Sequence, residues 1–252
     1  MNDDAIAPVV AVMMILVIVV TLFSIWNAIY LPGFKQQAEV EHLGEVEEGI
    51  LRFSADIDNS IALWRNGTQT ESIPLGGGDI LLNTIRSGGE LRIQQLEGAA
   101  ITISVDGTEY YGYLSKITYR PVSNFWIDQG YSWENGAVNV SKRSVSVPIS
   151  LPNQYQEAQR AFLEHLFQTG YSNENRNVSI KLVNITAHDL HAAASGNGIS
   201  QLKLNTTITT HRQNGVTGIS IIGDHGFQAP SLNPEYPVNV TIERLDIILS
   251  AD

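Results

Sequence analysis

The sequence predicts an α+β protein. A long hydrophobic N-terminal helix continues into an amphipathic helix, followed by a mainly antiparallel, β-sandwich-like domain with one inserted helix. Three observations predict this. Residues 5–32 carry no charged side chain. Residues 40–61 repeat apolar side chains at helical spacing. From about residue 70 the pattern alternates with period two, punctuated by Asp-Gly and Asn-Gly pairs. The implied boundaries are 1–33 for a transmembrane or filament-core helix, 34–65 for the amphipathic helix and 66–252 for a strand-rich extracellular domain.

The first run, from Ala5 to Pro32, is mostly Val, Ile, Leu, Met and Ala. At 1.5 Å per residue it makes a helix of roughly 40 Å, against a hydrocarbon core of about 30 Å. Pro8 falls in the first turns, where a missing N–H costs little. Trp26 and Tyr30 come near the far end, where amphipathic rings favour the membrane interface. The pair Pro32-Gly33 predicts a break or kink. A cleaved signal peptide fits poorly. It needs a basic leader, a shorter apolar core and small residues at the cut, whereas this run follows Asp3 and Asp4 and ends in Ile29-Tyr30-Leu31-Pro32.

From Phe34 to about Leu63 a second helix is predicted. Val40, Leu43, Val46, Ile50, Phe53, Ile57 and Ile61 trace one face, and Glu39, Glu41, Glu45, Glu47 and Glu48 cover much of the rest. Asn66-Gly67-Thr68 predicts its end. Beyond it, "GELRIQQL", "AAITISVDGTEYYGYLSKITYR" and "AVNVSKRSVSVPIS" read as strands. So do "NVSIKLVNIT", "ISQLKLNTTITTHR", "VTGISIIG" and "PVNVTIERLDIILS". Hairpins are predicted at Asp106-Gly107, Asn135-Gly136 and Asn214-Gly215. One helix interrupts them over residues 151–170, with Tyr155, Ala158, Phe162 and Leu166 on one side and Gly170 as its stop. Short strands and turns of this kind point to two packed sheets.

Composition narrows the function. The chain has 252 residues and a formal net charge of −11. An acidic chain is a poor partner for nucleic acid or anionic lipid, both of which select basic patches. There is no cysteine, hence no disulfide framework, thiolate nucleophile or Cys-type zinc site.

The segment "DDAIAPVVAVMMILVIVVTLFSIWNA" resembles the N-terminal segment of archaeal type IV pilins and archaellin-like surface proteins. Ala5, Ile6, Ala7, Pro8, Val9 and Val10 follow that family's Ala-Val/Ile-Ser/Ala-Pro-Val-Ile/Val run one for one. The resemblance covers about 30 residues of the chain. It implies a helix stored in membrane lipid and then packed into a filament with like or related pilin subunits. It also implies processing by a prepilin peptidase that removes a basic leader, and here no Lys or Arg precedes the run. The assembly surface it implies is Ala7, Pro8, Val9, Val10, Val12, Ile15, Ile18, Leu22, Trp26 and Tyr30. Counting Lys35 and Arg52 by the positive-inside rule places the large domain inside the cell. The solvated strands that follow argue for a cell-surface domain.

Six Asn-x-Ser/Thr sequons begin at Asn66, Asn139, Asn177, Asn184, Asn205 and Asn239. They are candidate N-glycosylation sites in an exported chain. A strand with a polar outer face also writes N-V-S by itself, because residues i and i+2 share a face.

Other candidates are weaker. His188 and His191 lie three apart without a clear third ligand. "GDHG" at 223–226 sets a His beside an Asp, with no G-x-S-x-G turn to supply a nucleophile. "GGGD" at 76–79 lacks the Lys-Ser/Thr of a phosphate loop. Tyr110, Tyr111, Tyr113, Tyr119, Phe125, Trp126, Tyr131 and Trp133 crowd one region, either as a stacking surface for carbohydrate or a neighbouring subunit, or as packing between sheets. The sequence therefore points to no catalytic set, cofactor or metal. It points to a pilin-like surface subunit, and the large β domain favours a minor one or the alternative. The alternative is a single-pass anchored ectodomain that binds a partner or the envelope and never polymerises. A surface hydrolase is a third class, and it requires polar groups converging around His188 or His225.

Overall fold

The computed structural model describes residues 6–77, 87–122, 127–142, 145–149, 152–172, 176–189, 191–224, 227, 229–230, 232 and 234–252. Two α-helical stretches open the chain, α1 (Ile6–Ile25) and α2 (Leu31–Leu63), joined by a π-helical turn at Trp26–Tyr30. The helix is therefore not broken at Pro32-Gly33. Proline lacks an N–H, and its ring crowds the carbonyl four residues back. The π turn immediately before it widens the spiral, with Leu31 N–H bonding to Trp26 O, five residues back. The backbone passes Pro32 without losing helical continuity.

Helix α2 is the pillar of the β domain. Leu43, Val46, Ile50, Phe53, Ile57 and Ile61 are all buried on it. Val40 is instead exposed, and the buried row runs back from Leu43 through Glu39 and Lys35 in steps of four. Glu39 is buried and Glu47 half-buried, so these acids do not belong to the solvent face. Gly49 sits where α2 crosses the first strand. A Cβ there would lie 2.5 Å from Ile73 Cδ1, so glycine sets the approach distance. The helix ends with Trp64 in the left-handed region (φ 46°), its N–H on Ser60 O, two residues before the predicted Asn66 turn. Lys181 Nζ lies 5.0 Å above the Trp64 ring.

The strands follow in order. They are β1 (Gly67–Pro74), β2 (Gly89–Gln95), β3 (Ile101–Val105), β4 (Thr108–Gly112), β5 (Ser115–Pro121), β6 (Gln129–Glu134), β7 (Ala137–Lys142) and β8 (Val145–Pro148). Helix α3 (Pro152–His165) interrupts them. Then come β9 (Phe167–Ser172), β10 (Asn177–Ala187), β11 (His191–Gly196), β12 (Ile199–Val216), β13 (Ile219–Gly223) and β14 (Val238–Ala251). They form three sheets, ordered β1-β12-β14-β10-β9, β11-β2-β5-β6-β7-β8 and β13-β3-β4. The pairing is mostly antiparallel, with β10 and β14 parallel over Asn177↔Asn239 to Ala187↔Leu249. This is a β-rich domain of three sheets, not the simple pair that the alternation predicts. One buried cluster joins α2 and α3 to strands of all three.

Two predicted hairpins form. Asp106 and Gly107 have φ of 45° and 85°, and Asn135 and Gly136 have 51° and 75°. Both turns thus place two left-handed residues between their strands, as two-residue hairpins favour. Asn214-Gly215 makes no hairpin. It lies in a bulge where the β12–β14 register shifts between Gln213 and Val216. Strand β13 then leaves to pair with β3. Helix α3 is also shorter than predicted. It ends at His165, and Gly170 lies inside β9, because residues 167–172 pair with β10. Phe162 and Leu166 are buried as the periodicity implies, Ala158 is exposed, and the Tyr155 side chain lies outside the described residues.

Candidate membrane and assembly helix

Helix α1 has no polar stripe. Val9, Val12, Ile15, Ile18 and Leu22 are each more than half exposed, and Met13, Leu16 and Phe23 on other sides are equally bare. Val10 is 49% exposed. Ala7 and Pro8 lie in its first turns, with the Ala7 side chain outside the described residues. A helix apolar on every side and packed against nothing in its own fold is soluble only in lipid or against other helices. An 18-residue window reaches a mean hydropathy of 2.9 with none of it buried, so this helix is long and apolar enough to cross a membrane. Its 20 residues span about 30 Å, close to the hydrocarbon thickness.

The polar side chains in this stretch bond their own backbone. Thr21 Oγ1 donates to Val17 O (2.7 Å), Ser24 Oγ to Val20 O (2.8 Å) and Asn27 Nδ2 to Phe23 O (2.9 Å). Each bond spans four residues, so no donor needs water. At the far end Trp26 stacks on Tyr30 with centroids 5.7 Å apart, and Phe34 lies 5.9 Å from Trp26. The three aromatics, four residues apart, line one side of the helix where the apolar run meets the first charge, Lys35. That placement suits an interfacial belt.

The β domain grips α2 through polar contacts in its core. Tyr119 Oη lies 3.0 Å from His42 Nε2 and donates to Leu75 O (3.2 Å). Tyr131 Oη donates to Glu47 Oε2 (3.0 Å), and Trp133 Nε1 to Ser54 Oγ (3.1 Å). Burial raises the Tyr119 hydroxyl to about 12, with the Glu39 charge adding to it. Burial, with Glu47 beside it, raises Tyr131 as well. Burial lowers His42, and its contact with the Leu75 backbone partly opposes this. These bonds fix both the rotation and the height of α2 against β5 and β6. The apolar α1 thus continues, through the π turn, from a helix tied into the β domain.

The aromatic cluster of the sequence divides. Tyr119, Tyr131 and Trp133 are core residues holding α2. Tyr111 and Tyr113 lie together at the surface, centroids 5.9 Å apart, with the Tyr111 hydroxyl on the Glu109 carboxylate. Phe125 and Trp126 lie outside the described residues. Sequence reasoning missed the partners on α2. His42, Glu47 and Ser54 are polar residues beside the apolar stripe, and their only trace is a helix that is less apolar at those positions than its burial demands.

The sequons divide too. Asn66, Asn177, Asn205 and Asn239 are exposed. Asn177 and Ser179 face solvent while Val178 and Ile180 are buried, the i, i+2 pattern of an outward strand face. Asn139 and Asn184 are buried. Asn184 accepts from Tyr113 N–H (2.9 Å) and donates to Asp246 Oδ1 (2.7 Å), so its amide on β10 is a structural tie between the β4–β5 connection and β14. An attached sugar would require undoing that tie.

Among the described residues the candidate chemistry is not brought together. His188 is exposed and its Nδ1 sits 3.5 Å from the adjacent Asp189. The His191 side chain, His225 and the second half of the "GGGD" turn, Gly78 and Asp79, lie outside the described residues. Gly77 is clamped by Ser87, whose hydroxyl accepts from its N–H and donates to its carbonyl (3.0 Å each). No group of three or more metal-ligating side chains occurs among the described residues. Comparison with known protein families, curated proteins and solved structures found no match to this chain.

Proposed function

We propose that this chain is a pilin-like subunit of an archaeal type IV pilus-like filament, exported and inserted through α1. The observation that supports it best is one uninterrupted helix, apolar and bare at its N-terminal end and buried in a β domain at the other. In lipid the bare part spans the bilayer with its backbone satisfied internally. In the filament the same surface is buried against α1 helices of neighbouring subunits, and the β domain forms the outer wall at the cell surface. The Ala7-Pro8-Val9-Val10 run supports the family reading, and a prepilin peptidase is the processing partner it implies. Asn66, Asn177, Asn205 and Asn239 are the sequons open to glycosylation in the folded domain.

The test is Ile18→Asp. Ile18 is 59% exposed in the middle of α1, and a carboxylate there costs about 2.5–3.5 kcal/mol for insertion. Both membrane insertion and filament yield are expected to collapse. Normal filament yield from this variant would defeat the proposal. Loss of insertion in a strain that makes no filament containing the wild-type chain would leave the anchored ectodomain instead.

A further inference from the structure

A second feature, independent of α1, is an open cleft of about 290 Å³ between the last turns of α2, helix α3 and the β6–β7 turn. Its wall is made of Ile61, Ala62, Ala158, Ala161 and Phe162, with Gly136 closing one side. The alanines leave the space, because longer side chains at the same positions would fill it. Gly136 cannot carry a side chain, since a Cβ would lie 2.5 Å from Phe162. Two polar side chains enter this apolar lining, Asp58 from α2 and His165 from α3.

Asp58 is the unusual one. It makes no hydrogen bond or ion pair with any described residue. Asp58 as a whole residue is exposed, yet the surrounding side chains desolvate its carboxyl and raise it to about 6, with His165 pulling in the other direction. A pocket with an apolar wall and an unpaired carboxylate is suited to a ligand that brings a cationic donor and a short aliphatic chain, with the His165 imidazole as the other polar group in the lining.

We infer that this cleft binds an alkylammonium group, the ammonium on the Asp58 carboxylate and the methylenes along Ala158, Ala161 and Phe162. The group arrives either on a free amine or on a lysine side chain of another protein. Binding requires ionised Asp58, so it strengthens as pH rises through about 6. Of the other elements lining the cleft, α3 adds one titratable group, His165, and the β6–β7 turn adds none.

The experiment uses the full chain in nonionic detergent and saturation-transfer NMR with n-butylammonium, with n-pentanol as the neutral isostere. Saturable binding of butylammonium is expected at pH 8, at least fivefold weaker at pH 5, and at least tenfold weaker in Asp58→Asn. Ala161→Leu, which keeps the carboxylate and fills the space, is expected to abolish it. Comparing putrescine with Nα-acetyl-lysine methylamide tells a free amine from a protein-borne one, and tighter binding of either supports the site. No saturable binding at pH 8, equal binding of pentanol, or binding unchanged in both variants would overturn it.

Discussion

Trp133 and Ser54 show how single residues set the height of the long helix. The indole N–H has one partner, Ser54 Oγ, and both groups are buried. Ser54→Ala leaves that N–H unsatisfied and is expected to cost about 1–3 kcal/mol, read as a lower denaturant midpoint with an unchanged slope. His42 adds a pH dependence. Burial lowers its folded value beneath the ordinary one of about 6.5. The unfolded chain therefore takes up a proton first, and stability falls as pH drops below about 6.5 until the folded value is passed. His42→Gln is expected to flatten that fall in urea titrations between pH 7 and 5. Asp58 acts in the opposite sense. Its folded value near 6 lies above the unfolded one, so protonation favours the folded state as pH falls from 6 toward 4. Its exposure keeps that contribution small.

At the scale of elements, the β6–β7 hairpin and α3 depend on each other through Gly136. The residue needs a left-handed φ of 75° and has Phe162 against its Cα. Gly136→Ala meets both penalties and is expected to destabilise the fold by about 1–3 kcal/mol, with local hydrogen exchange rising first in α3. Much of this level was legible in the sequence. Helix α1 announces itself by composition, α2 by period, and two hairpins by Asp-Gly and Asn-Gly. What was not legible had a competing interaction behind it. Pro32 reads as a breaker, but a π turn absorbs it. Asn214-Gly215 reads as a hairpin, but the long β12–β14 ladder continues past it as a bulge. Gly170 reads as a helix stop, but pairing with β10 claims it for a strand. The parallel β10–β14 pair joins strands about 60 residues apart, and local alternation carries no information about such a partner.

In the whole molecule, one helix divides into two parts with different surroundings. Residues of α1 face outward on all sides, and residues of α2 are locked into the β domain by an apolar stripe and three polar ties. The stripe was legible. The ties at His42, Glu47 and Ser54 were not, since nothing in their sequence separates them from the solvent-facing acids nearby. Such a construction couples the position of α1 to the β domain, which the proposed filament packing needs and a flexible tether would not supply. The most direct measurement is to shear native cells, pellet the released filaments, and identify the chain by mass spectrometry in that pellet and in the membranes. The account predicts the chain in the sheared pellet, with its β domain intact. A chain found only in the membranes would contradict it and make α1 an anchor.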